Sequence, residues 1–492
     1  MRRRLVVIGG GVSGLAAAVT AAKEGDDLAV TVLEKEGDVG GRALSLEEDG
    51  WLVEAGPGGY LDTDPAVVEL VGAAGIEQQQ IRARASAARR FIHRGGRLHE
   101  VGPNLLKPLR SRLLDPSGLL RALGEPLIRK RQSTSEESIF EFCSRRFGGQ
   151  IAERVVHTAM LGIFAGDARR LSVDACFPEL RRLENEHGSV IRGGLARRLA
   201  RRRDTAAIES TAVPSHKLSS FRRGLQQLPR ALAADPRVEV RSGIEVSAIR
   251  PMPPSLRGSR DDRNGYVVQF RDGETLGADA VIVATPVRAA ARLLTALAPQ
   301  VSRLLDGIPV PPVAVVGLGF DRAAVAHLPP AFGVLVARGE AIRMLGCLWE
   351  SHIYPGRGPE SGFLLRVMLG GQLDPEIRDL HEEELVTLAR SDLRSALGID
   401  TAPVYSRVFR WPHAIPQYEI GHLSIREGVE QALGSLPGLF LAGDALEGVS
   451  FTKTAATGIR QGSQAARYCR HSTGEDRPIG GSSSRGPVDP RP

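Results

Sequence analysis

Six residues, Gly9-Gly10-Gly11-Val12-Ser13-Gly14, stand between the apolar run Arg4-Leu5-Val6-Val7-Ile8 and an alanine-rich stretch that continues through Ala22. The run reads as a short buried strand, the glycines as a tight turn and the alanines as the helix it opens. A second apolar strand, Leu28 to Leu33, ends at Glu34, and Gly40-Gly41-Arg42 follows in the same frame. A Cβ at Gly9 or Gly11 would obstruct the turn or the approach of a phosphate, and one at Gly14 would push helix from strand. Glu34 falls where an acid accepts hydrogen bonds from an adenosine ribose while a pyrophosphate rests on the helix N-terminus. The frame suits NAD, NADP or FAD. The second glycine turn, ending in Arg42, can close over the pyrophosphate from the other side. Contacts to such a dinucleotide are expected from Gly9, Gly11, Val12, Ser13, Gly14, Glu34, Lys35, Gly41 and Arg42.

With 492 residues the chain can build two or three domains with large cores. Basic residues exceed acidic ones by seven, and arginine dominates, which favours anionic ligands or lipid headgroups. Neither finger spacing nor a patterned recognition helix supports nucleic acid as a partner. The cysteines Cys143, Cys176, Cys347 and Cys469 form no CxxC, and the histidines form no HExxH, so no disulfide, cluster or metal is expected. Arg2-Arg3-Arg4 before an uncharged run resembles a signal peptide, but the glycine triplet turns that run into a strand and helix. A cytoplasmic location is expected.

The fold class is α/β: a discontinuous Rossmann-like dinucleotide domain, an antiparallel-sheet substrate domain and an inserted helical domain. The cofactor domain is read as residues 1–81, 204–300 and 431–471, the substrate domain as 301–430 and the helical cap as 82–203; 472–492 lacks core-forming residues and is expected to be disordered. The strand Trp51 to Glu54 runs into Ala55-Gly56-Pro57-Gly58-Gly59, a glycine turn suited to passing a flat cofactor, which singles out Gly56 and Pro57. The strand before Thr285-Pro286 and the strand Leu439-Phe440-Leu441 before Gly443-Asp444 end where ligands bind in α/β sheets. Gly443 permits close backbone approach, and Asp444 can face a ribityl or phosphate group. The last helix is expected to begin near Ala455.

In the cap, helices are expected over 105–114, 118–129, 139–147 and 151–161, and residues 82–131 carry thirteen basic side chains against three acidic ones. A basic, apolar-edged module of this kind can lie on an anionic membrane surface. In the substrate domain, strands are expected over 313–320, 332–336, 344–349 and 363–369, and a helix over 375–398. Residues 251–263 read as an exposed loop.

Taken in order, these pieces resemble the FAD-dependent protoporphyrinogen oxidase family, including its coproporphyrinogen III oxidase branch, within the flavin amine oxidase superfamily. GGGVSGL at Gly9–Leu15, LEKEGDVGGR at Leu33–Arg42 and LAGDALEG at Leu441–Gly448 carry the superfamily likeness. FAGDARRLSV at Phe164–Val173, ENEHGSVI at Glu184–Ile191 and WPHAIPQYEIGH at Trp411–His422 carry that of the family. The resemblance implies FAD as cofactor, with Val246, Trp411, Ile415 and Val449 among its contacts. It implies removal of six electrons in three steps from a reduced tetrapyrrole, protoporphyrinogen IX or coproporphyrinogen III, with O2 or another acceptor reoxidising the flavin. The chemistry demands no strong catalytic base, because the protein supplies geometry and anion recognition.

On the same likeness, Arg90 binds a substrate propionate, with Arg89 as the alternative in register, and the Gly166 carbonyl steers the pyrrole nitrogens. Phe332, Leu335, Met344 and Met368 are candidate pocket walls, each also explained by core packing. Further partners left open are the inner face of the cell membrane, a second copy of the chain and a ferrochelatase. The chain departs from the family pattern at Gly58-Gly59 and over 448–458, a longer entry to the last helix without an Asp-Cys pair. Other flavin chemistry on an amine or polyene, and a non-catalytic FAD-binding scaffold, are the alternative readings.

Overall fold

The computed structural model describes residues 2–25, 27–62, 64–102, 113–133, 135–207, 218–253 and 265–471. The expected helix over 105–114 lies almost wholly outside them, as do most of the loop over 251–263 and the tail from 472. In the strand Arg3–Ile8, Leu5 and Val7 enter one core while Val6 and Ile8 enter another. Burial on both faces is the signature of a parallel sheet covered on two sides. Its order is Val238–Arg241, Leu28–Leu33, Arg3–Ile8, Ala280–Val283 and Leu439–Leu441, all parallel, so three distant stretches of chain make one sheet.

One face is covered by the helices Val12–Glu24, Pro65–Ala73 and Gln227–Ala233 and by the long final helix Phe451–His471. The first and last of these helices cross at close range because glycines face the contact. A Cβ at Gly458 would come within 2.2 Å of the Ser13 carbonyl oxygen, and one at Gly462 within 2.3 Å of that of Ala17. The opposite face is covered by an antiparallel sheet, Val246–Pro251, Tyr266–Phe270 and Thr275–Ala278, and by the helices Val287–Leu294, Pro299–Asp306 and His422–Gly434.

A second large sheet has seven strands, ordered Tyr405–Trp411, Val313–Asp321, Gly362–Gly370, Gly346–Leu348, Gly333–Val336, Arg90–Arg94 and Arg97–Val101. It is antiparallel except where Gly333–Val336 runs parallel to Arg90–Arg94. The helix Glu382–Leu397 packs on its rear face. This helix begins later than expected, because residues Pro375–Asp379 form a separate 3-10 turn and the His381–Glu384 box caps the true start.

The region read as mainly helical begins with strands. Arg90–Arg94 and Arg97–Val101 form a hairpin that joins the seven-stranded sheet, turning at Gly95 and Gly96, whose φ values are +57° and +70°. Two successive left-handed residues are what a two-residue hairpin turn requires, and glycine supplies both without strain. The described cap helices include Pro116–Leu123, Ile139–Phe147, Thr158–Phe164, Pro178–His187 and Val190–Ala207, with a π-helical segment Ala152–His157 where a continuous helix was expected. No described helix is long and apolar enough to cross a membrane.

Candidate functional site

The glycine turn at the end of the first strand is held from three directions. Gly9 has φ +111°, and a Cβ there would lie 2.7 Å from the Ala284 carbonyl oxygen of the neighbouring strand. One at Gly14 would lie 1.9 Å from the Gly9 carbonyl oxygen, so the helix can start this close only on glycine. Glu34 is buried, and its carboxylate accepts from the Gly10 N–H at 2.7 Å and from the Glu36 N–H at 2.9 Å. Lys35 points outward and pairs with Glu36 at 3.0 Å. The chain leading into Val246 passes beside Glu34, where the Ile244 N–H donates to the Glu34 carbonyl at 2.8 Å.

Arg42 of the second glycine turn reaches across to Asp444 at 2.8 Å and donates to the His413 carbonyl at 3.1 Å. Gly40 donates to the Gly10 carbonyl at 2.9 Å, which lays the two glycine turns side by side. A Cβ on Gly11 or on Gly443 would meet no protein atom within 4 Å, so both α-carbons face open space. The buried hydroxyls of Ser13 and Thr285 have no hydrogen-bond partner among the described residues. Buried donors left unpaired are costly. Two such hydroxyls beside a helix N-terminus, glycines open to space, a guanidinium and an acid at the ribose position fit the pyrophosphate and ribose of FAD.

The turn Ala55–Gly59 is tied to this cradle. A Cβ at Gly56 would fall 2.2 Å from the Arg42 carbonyl oxygen, and the Trp411 indole N–H donates to the Ala55 carbonyl at 2.7 Å. Pro57 follows, half-buried. Behind the turn, buried Glu54 accepts from the Ser45 hydroxyl at 2.6 Å and the Leu225 N–H at 3.0 Å and faces Arg357 at 3.2 Å. Burial raises the Glu54 pKa, with Arg357 and Ser45 opposing the shift.

Residues Trp411–His422 act as a strap over the site. The Tyr418 hydroxyl donates to the Asp444 carbonyl at 2.6 Å, and the His422 ring stacks on Tyr418 at 4.1 Å while its Nε2 meets the Leu446 carbonyl at 3.1 Å. Burial pushes the Tyr418 phenol up and the His422 imidazole down, keeping both rings neutral. Gln417 donates to the carbonyls of Phe164 at 2.8 Å and Ile415 at 2.9 Å, which joins the strap to the cap. A Cβ at Gly166 would lie 2.1 Å from the Gln417 Oε1, so the AGD turn packs directly on this side chain.

The front face of the large sheet gathers Met368 with Leu161, Ala165, Trp411 and Ile415. Leu335 packs instead with Ile92 and Leu113, and Phe332 with Ile353 and Tyr354. Met344 is a correction: it is 2% exposed in the rear core, and its N–H donates to Asp392 at 2.7 Å. Leu345 lies in the front cluster instead, one residue along the alternation of an extended chain. Arg90 is exposed and lies over the Phe332 ring at 5.1 Å, without an ion pair among the described residues. Arg89, the register alternative, pairs with Glu100 at 3.2 Å. Val449 packs against the cap core.

The entry to the last helix begins earlier than expected. Ser450 caps it, accepting from the Lys453 N–H at 3.2 Å, and Phe451 is buried against Tyr60, so the extra residues are wound into an added first turn. Gly59, Asp64, Ser450, Phe451 and Lys453 line a cleft of ≈ 420 Å³ at this point. Sequence reasoning missed Arg366 and Glu350, which meet beneath the turn at 2.7 Å. A lone arginine inside Phe363-Leu364-Leu365-Arg366-Val367-Met368-Leu369 was the available signal.

The flavin containing amine oxidoreductase family matches residues 12–469. The chain is 32% identical over 485 residues to protoporphyrinogen oxidase of Macaca fascicularis, covering 95% of this chain and 98% of that one. It is 29% identical over 481 residues to coproporphyrinogen III oxidase of Bacillus subtilis (strain 168), covering 95% and 98%. A crystal structure from Exiguobacterium sp. 255-15 superposes with a TM-score of 0.78 at 24% identity, over 95% of this chain and 99% of that one. The cofactor of such an enzyme is FAD, which the cradle fits. The chain belongs to the flavin containing amine oxidoreductase family, in the branch that holds the protoporphyrinogen and coproporphyrinogen oxidases.

Proposed function

We propose that this enzyme oxidises a porphyrinogen to the porphyrin in heme biosynthesis, protoporphyrinogen IX to protoporphyrin IX, with O2 as the final acceptor and H2O2 as product. The observation that carries the reading is Arg90, a cation with no carboxylate partner among the described residues, held over Phe332. Phe332 packs with Tyr354, and the Tyr354 hydroxyl approaches the turn at Gly59. A propionate on Arg90 therefore anchors a flat substrate on the side of the site that leads to the turn. Relatives named for this chemistry, matched along nearly their whole length, support the same reading. The Bacillus subtilis relative favours coproporphyrinogen III as the second reading of the substrate.

Bound FAD supplies a hydride acceptor. In each of three cycles a bridging methylene carbon loses a hydride and a pyrrole nitrogen loses a proton. Arg42, Asp444, Ser13 and Thr285 would hold the dinucleotide, and Glu34 its ribose. Arg90 orients the macrocycle, the Gly166 carbonyl faces the pyrrole N–H groups, and Met368 and Ile415 exclude water. The decisive assay presents the FAD-loaded protein, in air, with protoporphyrinogen IX and coproporphyrinogen III in parallel. Growth of a Soret band with at least one is expected; a flavin-loaded protein inert toward both would sink the reading.

For location, we propose peripheral attachment to the inner face of the cell membrane. Leu120 is 74% exposed and Leu127 82%, beside Arg121, Arg129 and Lys130, which gives the cap an apolar edge within a basic surface.

A further inference from the structure

The strand Gly362–Gly370 sends Phe363, Leu365, Val367 and Leu369 into the rear core. Leu364 packs on the opposite face with Trp51 and Val53, and Met368 with Trp411 and Ile415. Arg366 stands between these two on the same face, only 3% exposed. An arginine in such a place is tolerated only if its charge and its donors are matched. Its Nε and Nη2 both lie 2.7 Å from one carboxylate oxygen of Glu350, itself 1% exposed. Its Nη1 donates to the Glu54 carbonyl at 3.2 Å and to the Gly56 carbonyl. A Cβ at Gly58 would lie 2.7 Å from Nη2, so the guanidinium occupies the space that a side chain at that position would need.

We infer that Arg366 is a positioning residue for the oxidation, fixing through the carbonyls of Glu54 and Gly56 how closely the Gly56–Gly59 turn approaches the flavin ring. The inference rests on the proposed reading and on the turn passing beside the flat cofactor, as its glycine-rich sequence leads one to expect. Glu350 keeps the guanidinium flat and in place, and the side-chain-free Gly58 lets it come up against the turn. Arg366 itself need not touch the substrate. A turn displaced by a fraction of an ångström alters the separation between the acceptor ring and the methylene carbon, to which the rate is steeply sensitive.

Three variants and one combination test this. Arg366→Met is expected to lower kcat about tenfold to a hundredfold, with KM for the porphyrinogen little changed and the visible absorption band of bound FAD displaced. Arg366→Lys, which keeps the charge but cannot reach Glu350 and both carbonyls together, should fall between. Gly58→Ala, which removes neither Arg366 nor Glu350, should reproduce the spectral displacement by pushing the guanidinium aside. Added to Arg366→Met, it should have little further effect, because the space is then free. Equal and additive effects of Gly58→Ala in both backgrounds would overturn the assignment. So would an Arg366→Met protein that melts at a lower temperature yet keeps the wild-type flavin spectrum and kcat when loaded. A wild-type protein that binds no FAD would instead overturn the underlying reading, and the inference with it.

Discussion

At the scale of single residues, neighbouring arginines are given different work by their partners. Arg89 is committed to Glu100, whereas Arg90 rests on an aromatic ring with its hydrogen-bonding edge uncommitted to any described carboxylate. A hydrogen bond to a charged group contributes about 1.5–3 kcal/mol, roughly a tenfold to hundredfold change in binding. Arg90→Met should therefore raise KM for the porphyrinogen by about that factor while FAD content stays constant, and Arg89→Met should raise it less. Steady-state kinetics with the flavin absorbance of each purified variant checks this; loss of flavin in Arg90→Met would contradict it. The strand-turn-helix frame of the candidate cradle was legible because glycine, acid and arginine occupy fixed offsets along it. Arg366 was not, since its partners, Glu54, Gly56 and Glu350, come from two other elements. Met344, which lies just before the strand Gly346–Leu348, took the core-packing alternative, because nothing in such an apolar stretch marks which face each residue takes.

At the scale of elements, the cap is bound by buried charge. Arg146 and Glu125 pair with no exposure on either side chain, Arg145 bridges Glu137 at 2.9 Å and Glu184 at 2.7 Å, and Arg181 adds Glu184 at 3.2 Å. The motif Glu184–Ile191 thus serves the cap interior, its Ser189 hydroxyl also donating to Glu125. Without the Glu184 charge Arg145, Arg146 and Arg181 each keep another carboxylate but lose a charged hydrogen bond, so Glu184→Gln should destabilise the protein by about 1–3 kcal/mol, read as a lowered denaturant midpoint. The pH response has two stages. Burial holds the His157 pKa below its ordinary value of 6.5, with Asp167 and Glu153 opposing and Arg169 and Arg338 adding to the shift. That contribution is complete above 6.5 and declines as pH falls below it. Burial by itself would raise Glu125, Glu137 and Glu184, but hydrogen bonds from Ser189 and Arg145 outweigh it and lower all three. Their contribution is present above the ordinary carboxylate pKa and vanishes as pH drops through the lowered values. The denaturant midpoint should therefore fall first with mild acid and again with strong acid, and His157→Phe should shrink the first step while leaving the second. Helix Ile139–Phe147 was readable from its apolar spacing, whereas the hairpin over residues 90–101 was assigned no element, since its short strands carry basic side chains in place of a clean apolar alternation.

At the scale of the whole molecule, exposed Leu120 and Leu127 with nearby cations predict co-sedimentation with anionic vesicles that weakens at high salt. Replacing both leucines with serine should reduce binding while leaving the flavin spectrum unchanged; vesicle binding by the double variant equal to that of the wild type would remove the proposed attachment. The parallel sheet has an implication for synthesis. Its first strand is made long before the strand Leu439–Leu441 and the Asp444 that meets Arg42. Until that strand is made the nascent chain carries an incomplete nucleotide cradle, and a chain that stops short of it lacks the pairing of Arg42 with Asp444.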